Sequence, residues 1–131
     1  MPATALTPPD SFAGDWNVTA DGKLLACSLR LKGEPGPRLR IISLTDNATQ
    51  KTFELDVERL RWTNDNRRIS FRQPASGNFA TQALQGGPLQ PLFNPSPEPL
   101  LGASWSTDGK RVALVCGRFI NDALLFKFAE R

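Results

Sequence analysis

The stretch WSTDGKRVAL, residues 105–114, decides the reading of this chain because it is written twice more: VTADGKLLAC at residues 18–27 and WTNDNRRISF at residues 62–71. The turn aspartates of the three copies, Asp21, Asp65 and Asp108, follow one another at spacings of 44 and 43 residues. Each copy has a short apolar strand, a turn carrying Asp-Gly or Asp-Asn, and a second strand directly after it. Asp, Asn and Gly tolerate the positive φ that a tight hairpin needs, so the first two strands of every unit form a hairpin.

The second strands alternate with period two. Leu25, Cys27 and Leu29 fall in register with Ile69, Phe71 and Gln73, and with Val112, Leu114 and Cys116. Small residues, Ala26, Ser70 and Ala113, occupy the opposite face, as expected where one twisted sheet packs closely on the next. Third strands are expected at residues 39–44, 79–84 and 123–128, and fourth strands at 50–55 and 89–93, with turns at TDN and QGG. A period near forty-four with four strands per unit is that of β-propeller blades. The fold class is therefore all-β, with three blades of four antiparallel strands per chain.

The third unit lacks a fourth strand, and residues 4–10 look like a fourth strand without its first three. The expected division is a strand at 1–10 completing another blade, then blades at 11–55, 56–94 and 95–131. Three blades cannot close a ring, since propellers need roughly four to eight. Two copies would give six, with the N-terminal strand of each chain completing the last blade of the other. Thr4, Ala5, Leu6 and Thr7 facing Leu124, Leu125 and Phe126 are the expected assembly interface, and a homodimer the favoured oligomer.

The copies resemble the PD40-type repeat of TolB-like propellers, whose core reads Trp-Ser-Pro-Asp-Gly-Lys. Thr107 and Ala20 replace the Pro, and Asn66-Arg67 replaces Gly-Lys in the middle copy. The C-terminal NDALLFKF is similar to the end of propellers attached to bacterial serine/threonine kinases and winged-helix regulators. That resemblance implies a sensor or interaction domain with a protein or peptide ligand. The alternative to a self-assembling scaffold is thus the ligand-sensing C-terminal part of a bacterial signalling protein. Propellers of this type also precede the catalytic domain of prolyl-oligopeptidase-like peptidases, but GASWS at residues 102–106 is not the Gly-x-Ser-x-Gly elbow.

The chain has 131 residues, 40% of them hydrophobic, enough for one folded domain. It contains neither histidine nor tyrosine, which removes the commonest general base and metal ligand. No phosphate loop, Cys-x-x-Cys or calcium-loop spacing is present, so no catalytic residue, cofactor or metal is expected. A hydrolase with carboxylates converging in the channel is the least favoured alternative. Cys27 and Cys116 stand where sister copies carry Phe71, Leu114 and Leu29, and read as small core hydrophobes rather than ligands.

Sixteen basic against thirteen acidic residues give a net charge of +3, too even for nucleic acid to be the expected partner. No apolar run approaches the roughly 20 residues of a membrane span, and residues 1–16 carry no secretory pattern. The expected location is cytoplasmic, or periplasmic if the chain is an excerpt of a longer exported protein.

Arg59, Arg61, Arg67, Arg68 and Arg72 crowd the middle unit but alternate with Leu60, Trp62, Ile69 and Phe71, so they read as the polar side of a half-buried sheet. Trp62 and Trp105 share one structural address and read as core. The loops after the second strands carry Arg30, Lys32, Arg38 and Arg118, which would favour an acidic partner.

Overall fold

A computed structural model describes residues 3, 5–92, 98–108 and 110–118, and these residues form strands and turns without a helix. Consequently no helix among them is long and apolar enough to cross a membrane. The first sheet runs β1 (Phe12–Val18), β2 (Leu24–Arg30), β3 (Arg38–Ser43) and β4 (Thr49–Phe53) in sequential order. The second repeats the plan with β5 (Glu58–Trp62), β6 (Arg68–Arg72), β7 (Phe79–Ala83) and β8 (Gln90–Pro91). A third begins with β9 (Leu100–Trp105) paired to β10 (Val112–Cys116). All pairings are antiparallel, as consecutive strands joined by short turns require. The third strand expected at 123–128 lies outside the described residues.

The repeated turns share one hydrogen-bond pattern. Thr19 Oγ1 donates to Asp21 Oδ1 at 2.6 Å, Lys23 N donates to the same carboxylate oxygen at 3.0 Å, and Leu24 N donates back to Thr19 Oγ1 at 3.1 Å. Thr63, Asp65, Arg67 and Arg68 repeat this at 2.6, 3.0 and 3.1 Å, and Ser106, Asp108, Lys110 and Arg111 at 2.5, 3.0 and 3.0 Å. The hydroxyl two residues before each aspartate closes the hairpin as firmly as the aspartate does. Gly22 and Asn66 take the left-handed conformation the turn needs, at φ 73° and 58°. Donated hydrogen bonds from the hydroxyl, then from the backbone amide, hold the carboxyls of Asp21, Asp65 and Asp108 below the usual range.

The core lies between the first two sheets. Ala26, Leu39 and Ile41 of the first sheet meet Leu60, Trp62, Ile69, Phe71 and Ala80 of the second. The register explains the division: Trp62 pairs with Ile69 and Phe71 with Ala80, so these side chains share one face. Ala26, opposite Ile41, is the small residue that lets the two sheets approach.

Polar contacts clasp the blades where the inner strands run side by side. Asp15 Oδ2 accepts the Leu60 amide at 2.8 Å, Asn17 Oδ1 accepts the Trp62 amide at 2.9 Å, and Trp62 Nε1 donates to the Asn17 carbonyl at 3.0 Å. Between the second and third blades the clasp has opposite polarity. Arg59 donates to the Leu101 carbonyl and Asn64 to the Ser106 carbonyl. Arg59 stands at the address of Asp15, so there a donor has replaced an acceptor. Trp105 Nε1, the counterpart of the bonded Trp62 Nε1, is buried without a partner.

Candidate functional site

The end face of the first blade has the composition of an interior, and its β1 residues Trp16 and Val18 are exposed while Leu25, Cys27, Leu29 and Ile42 beneath are buried. Its counterpart on the second blade is the core face carrying Leu60, Trp62, Ile69 and Phe71. At the same addresses the first blade carries Trp16, Val18, Leu25 and Cys27. Trp62 is 7% exposed, whereas Trp16 is 61% and Val18 36% exposed. A second apolar cluster, Leu25, Cys27, Leu29 and Ile42, lies on this face, with Leu6, Leu31 and Leu44 packed against it. A wholly apolar depression of about 340 Å³ opens between Leu6 and Thr7 on one side and Trp16 and Val18 on the other.

The opposite end of the arc is also uncovered. On β10 the small residue Ala113 is exposed, and Val115 beside it is 59% exposed. Among the described residues the exposed large hydrophobics are Phe12, Trp16, Val18 and Val115. Trp16 and Val18 lie on the end face of the first blade and Val115 on β10, while Phe12, opposite Arg30, lies on the other face of β1. A monomer rarely leaves such a patch open without a use for it.

Of the residues expected to form the assembly interface, Ala5 is exposed, and Leu6 and Thr7 are half-buried against the first blade of their own chain. Residues 5–8 are not strand, and the Leu6 side chain packs on part of the apolar face instead of extending a sheet. Thr4, Leu124, Leu125 and Phe126 lie outside the described residues.

The four loop cations are engaged within the chain. Arg30 Nε donates to the Glu34 carbonyl at 3.0 Å, and Lys32 pairs with Asp10 at 3.7 Å. Arg38 reaches Glu34 at 4.0 Å and Glu54 at 3.7 Å, and Arg118 pairs with Glu98. Acidic side chains pair with three of these cations and a backbone carbonyl accepts from Arg30, which a count of positive loop residues does not reveal. Arg40 is the deepest cation. It is buried on the end face next to Cys27, donates to the Leu29 carbonyl and pairs with Glu34. The Arg40 guanidinium, together with the Leu31 amide, holds the Glu34 carboxyl below the usual range.

Cys27 is buried and its thiol is pushed up by that burial, the chemistry of a core residue rather than a nucleophile. No group of three or more His, Cys, Asp or Glu side chains able to hold a metal occurs among the described residues. The middle-unit arginines alternate with core residues: Arg59 and Arg61 face outward while Leu60 and Trp62 are buried. Arg68 donates to Thr81 Oγ1 at 2.9 Å, and Arg72 pairs with Glu58.

No protein-family model and no curated protein matches the chain. Among solved structures it is similar to a prolyl endopeptidase, described in a structural and mechanistic analysis of two such enzymes and their inter-domain dynamics. The TM-score is 0.62 and the identity 21%, covering 90% of this chain and 19% of that one. At that identity the likeness concerns the fold alone, and the fold is β-propeller-like.

Proposed function

We propose that this chain is a noncatalytic interaction module of the TolB-like propeller type, which closes a ring with a second copy of itself. The observation that carries the reading is the placement of exposed apolar side chains at the two ends of the stack. The end face of the first blade is the repeat-equivalent of the face by which the second blade covers the first. Its occupant is therefore the outer face of another third blade, where Ala113 stands in register with the Ala26 that already accepts such a face. Two copies joined front to back at both junctions obey a two-fold axis and give six blades, within the closing range.

Light scattering across a dilution series tests this. The expected mass is about twice the 14.4 kDa of one chain. Trp16→Glu places a charge on the apolar face without touching the core between the first two sheets. It should yield a folded single-chain species by circular dichroism. A native chain that is monomeric and folded at every concentration overturns the proposal, as does a Trp16→Glu variant that keeps the native mass.

A further inference from the structure

The cleft between the second and third blades points to a different kind of occupant. It encloses about 880 Å³, within the range of small-molecule sites, and its walls include Phe79, Pro91, Leu92, Pro99 and Leu100. Arg59 stands at its inner edge. Arg59 and Phe79 also line an adjoining depression of about 330 Å³ on the inner-strand side, flanked by Arg61 and Asp15. A cleft with one apolar wall, and with Arg72, Ser76 and Asn78 also lining it, thus ends at a guanidinium.

Arg59 is unusual in two independent respects. It has φ 55°, left-handed for a residue that is neither Gly nor Asn, at the bulge where the β5–β6 register shifts between Glu58 and Arg61. Such strain concentrates where a side chain is aimed for use. The second respect is charge. A guanidinium has five N–H donors, and Arg59 commits one group to the Leu101 carbonyl. None of the ion pairs among the described residues involves Arg59 or Arg61. Asp15, the carboxylate beside them, accepts the amides of Trp16 at 3.0 Å and Leu60 at 2.8 Å. Arg72, on the adjacent strand of the same blade, pairs with Glu58, and Arg61 donates to the Leu60 carbonyl at 2.7 Å.

We infer that this cleft binds a small organic acid with an apolar body, its carboxylate paired to Arg59 and its hydrocarbon part against Phe79 and the proline-leucine walls. The planar fork of arginine suits a carboxylate, and none of the described residues lining the cleft is acidic. This site is separate from the assembly face, and the inference does not depend on ring closure.

Titration calorimetry of the full chain with 4-phenylbutyrate, against the uncharged 4-phenylbutanol, tests it. The acid should bind saturably and at least about tenfold more tightly than the alcohol, the scale of a charge-assisted hydrogen bond. Arg59→Gln should remove that advantage. Arg59→Gly removes the guanidinium and its bond to the Leu101 carbonyl but relieves the left-handed strain, so it should still fold, as circular dichroism would show, and lose the advantage. Arg111→Gln, in the third-blade turn, should bind as the native chain does. Absence of saturable binding, equal affinity for acid and alcohol, or an Arg59→Gly variant that binds like the native chain would each overturn the assignment.

Discussion

Replacing Thr63 by Val tests whether the hydroxyl, and not the aspartate alone, fixes the repeated turn. Valine keeps the shape of threonine but removes an oxygen that donates to Asp65 Oδ1 at 2.6 Å and accepts the Arg68 amide at 3.1 Å. Thr63 is buried, so water does not simply replace these partners. Losing the amide's acceptor costs about 1–2 kcal/mol for an ordinary buried hydrogen bond. The bond to the carboxylate adds about 1 kcal/mol, the lower end for a charged partner because Asp65 is exposed and screened. The total is about 2–3 kcal/mol, a shift of about 1 M or more in a urea midpoint at a slope near 2 kcal/mol/M. Thr63→Ser retains the hydroxyl and should cost about 1 kcal/mol or less, from one lost methyl group.

Acid gives the same experiment a second axis. The folded-state pKa of Asp65 is lowered, first by the Thr63 hydroxyl and then by the Arg67 amide. A lowered carboxyl contributes stability that is fully present above its unfolded value, about 3.9, and is lost as pH falls through the folded value. Thr63→Val removes the largest cause, so the gap between native chain and variant should be full near neutrality and narrow below about pH 4. A Thr63→Val variant within about 0.5 kcal/mol of the native chain at neutral pH would refute the reasoning, because surface changes alone produce shifts of that size.

The two equivalent tryptophans should behave differently. Trp62→Phe loses the indole bond to the Asn17 carbonyl, whereas Trp105→Phe removes a donor that has no partner, so the first should cost about 1 kcal/mol more in urea unfolding. Phe71→Ala, fully buried between the sheets, should destabilise by about 3–5 kcal/mol in the same assay. Glu34→Gln should destabilise the chain at neutral pH by leaving Arg40 buried without its anion. Because the Glu34 pKa is lowered in the folded state, its contribution is present above the unfolded value of about 4.3 and fades as pH falls; thermal melts of the variant should depend less on acid than those of the native chain.

The strand plan was legible because it is written in short-range terms. Period-two alternation and an Asp-Gly or Asp-Asn every 43 or 44 residues state where the chain runs straight and where it reverses, and β2, β3, β6, β7 and β10 lie within about a residue of the expected places. The hydroxyl of Thr19, Thr63 and Ser106, two residues ahead of each aspartate, went unread in the sequence, and its part in the turn emerges only from the bonds it makes. Which alternating face would be covered was not local information. Leu25 and Cys27 repeat the pattern of Ile69 and Phe71, yet one pair lies at an open end and the other in the core, since that outcome depends on which blade comes next.

Sequence alone determined the repeat, the four-strand unit and the small residues that let sheets stack, all of which follow from backbone geometry over a few neighbouring positions. Tertiary structure decided how charges were spent. Arg30, Lys32, Arg38 and Arg118 look like a basic surface in one dimension and are engaged by Glu34, Asp10, Glu54 and Glu98 in three. Arg59 looks like one arginine among five, and folding leaves it in the left-handed conformation beside a cleft and in none of the ion pairs among the described residues. An ion pair depends on distance through space between residues that the chain can separate by any length, and periodicity carries no record of that distance.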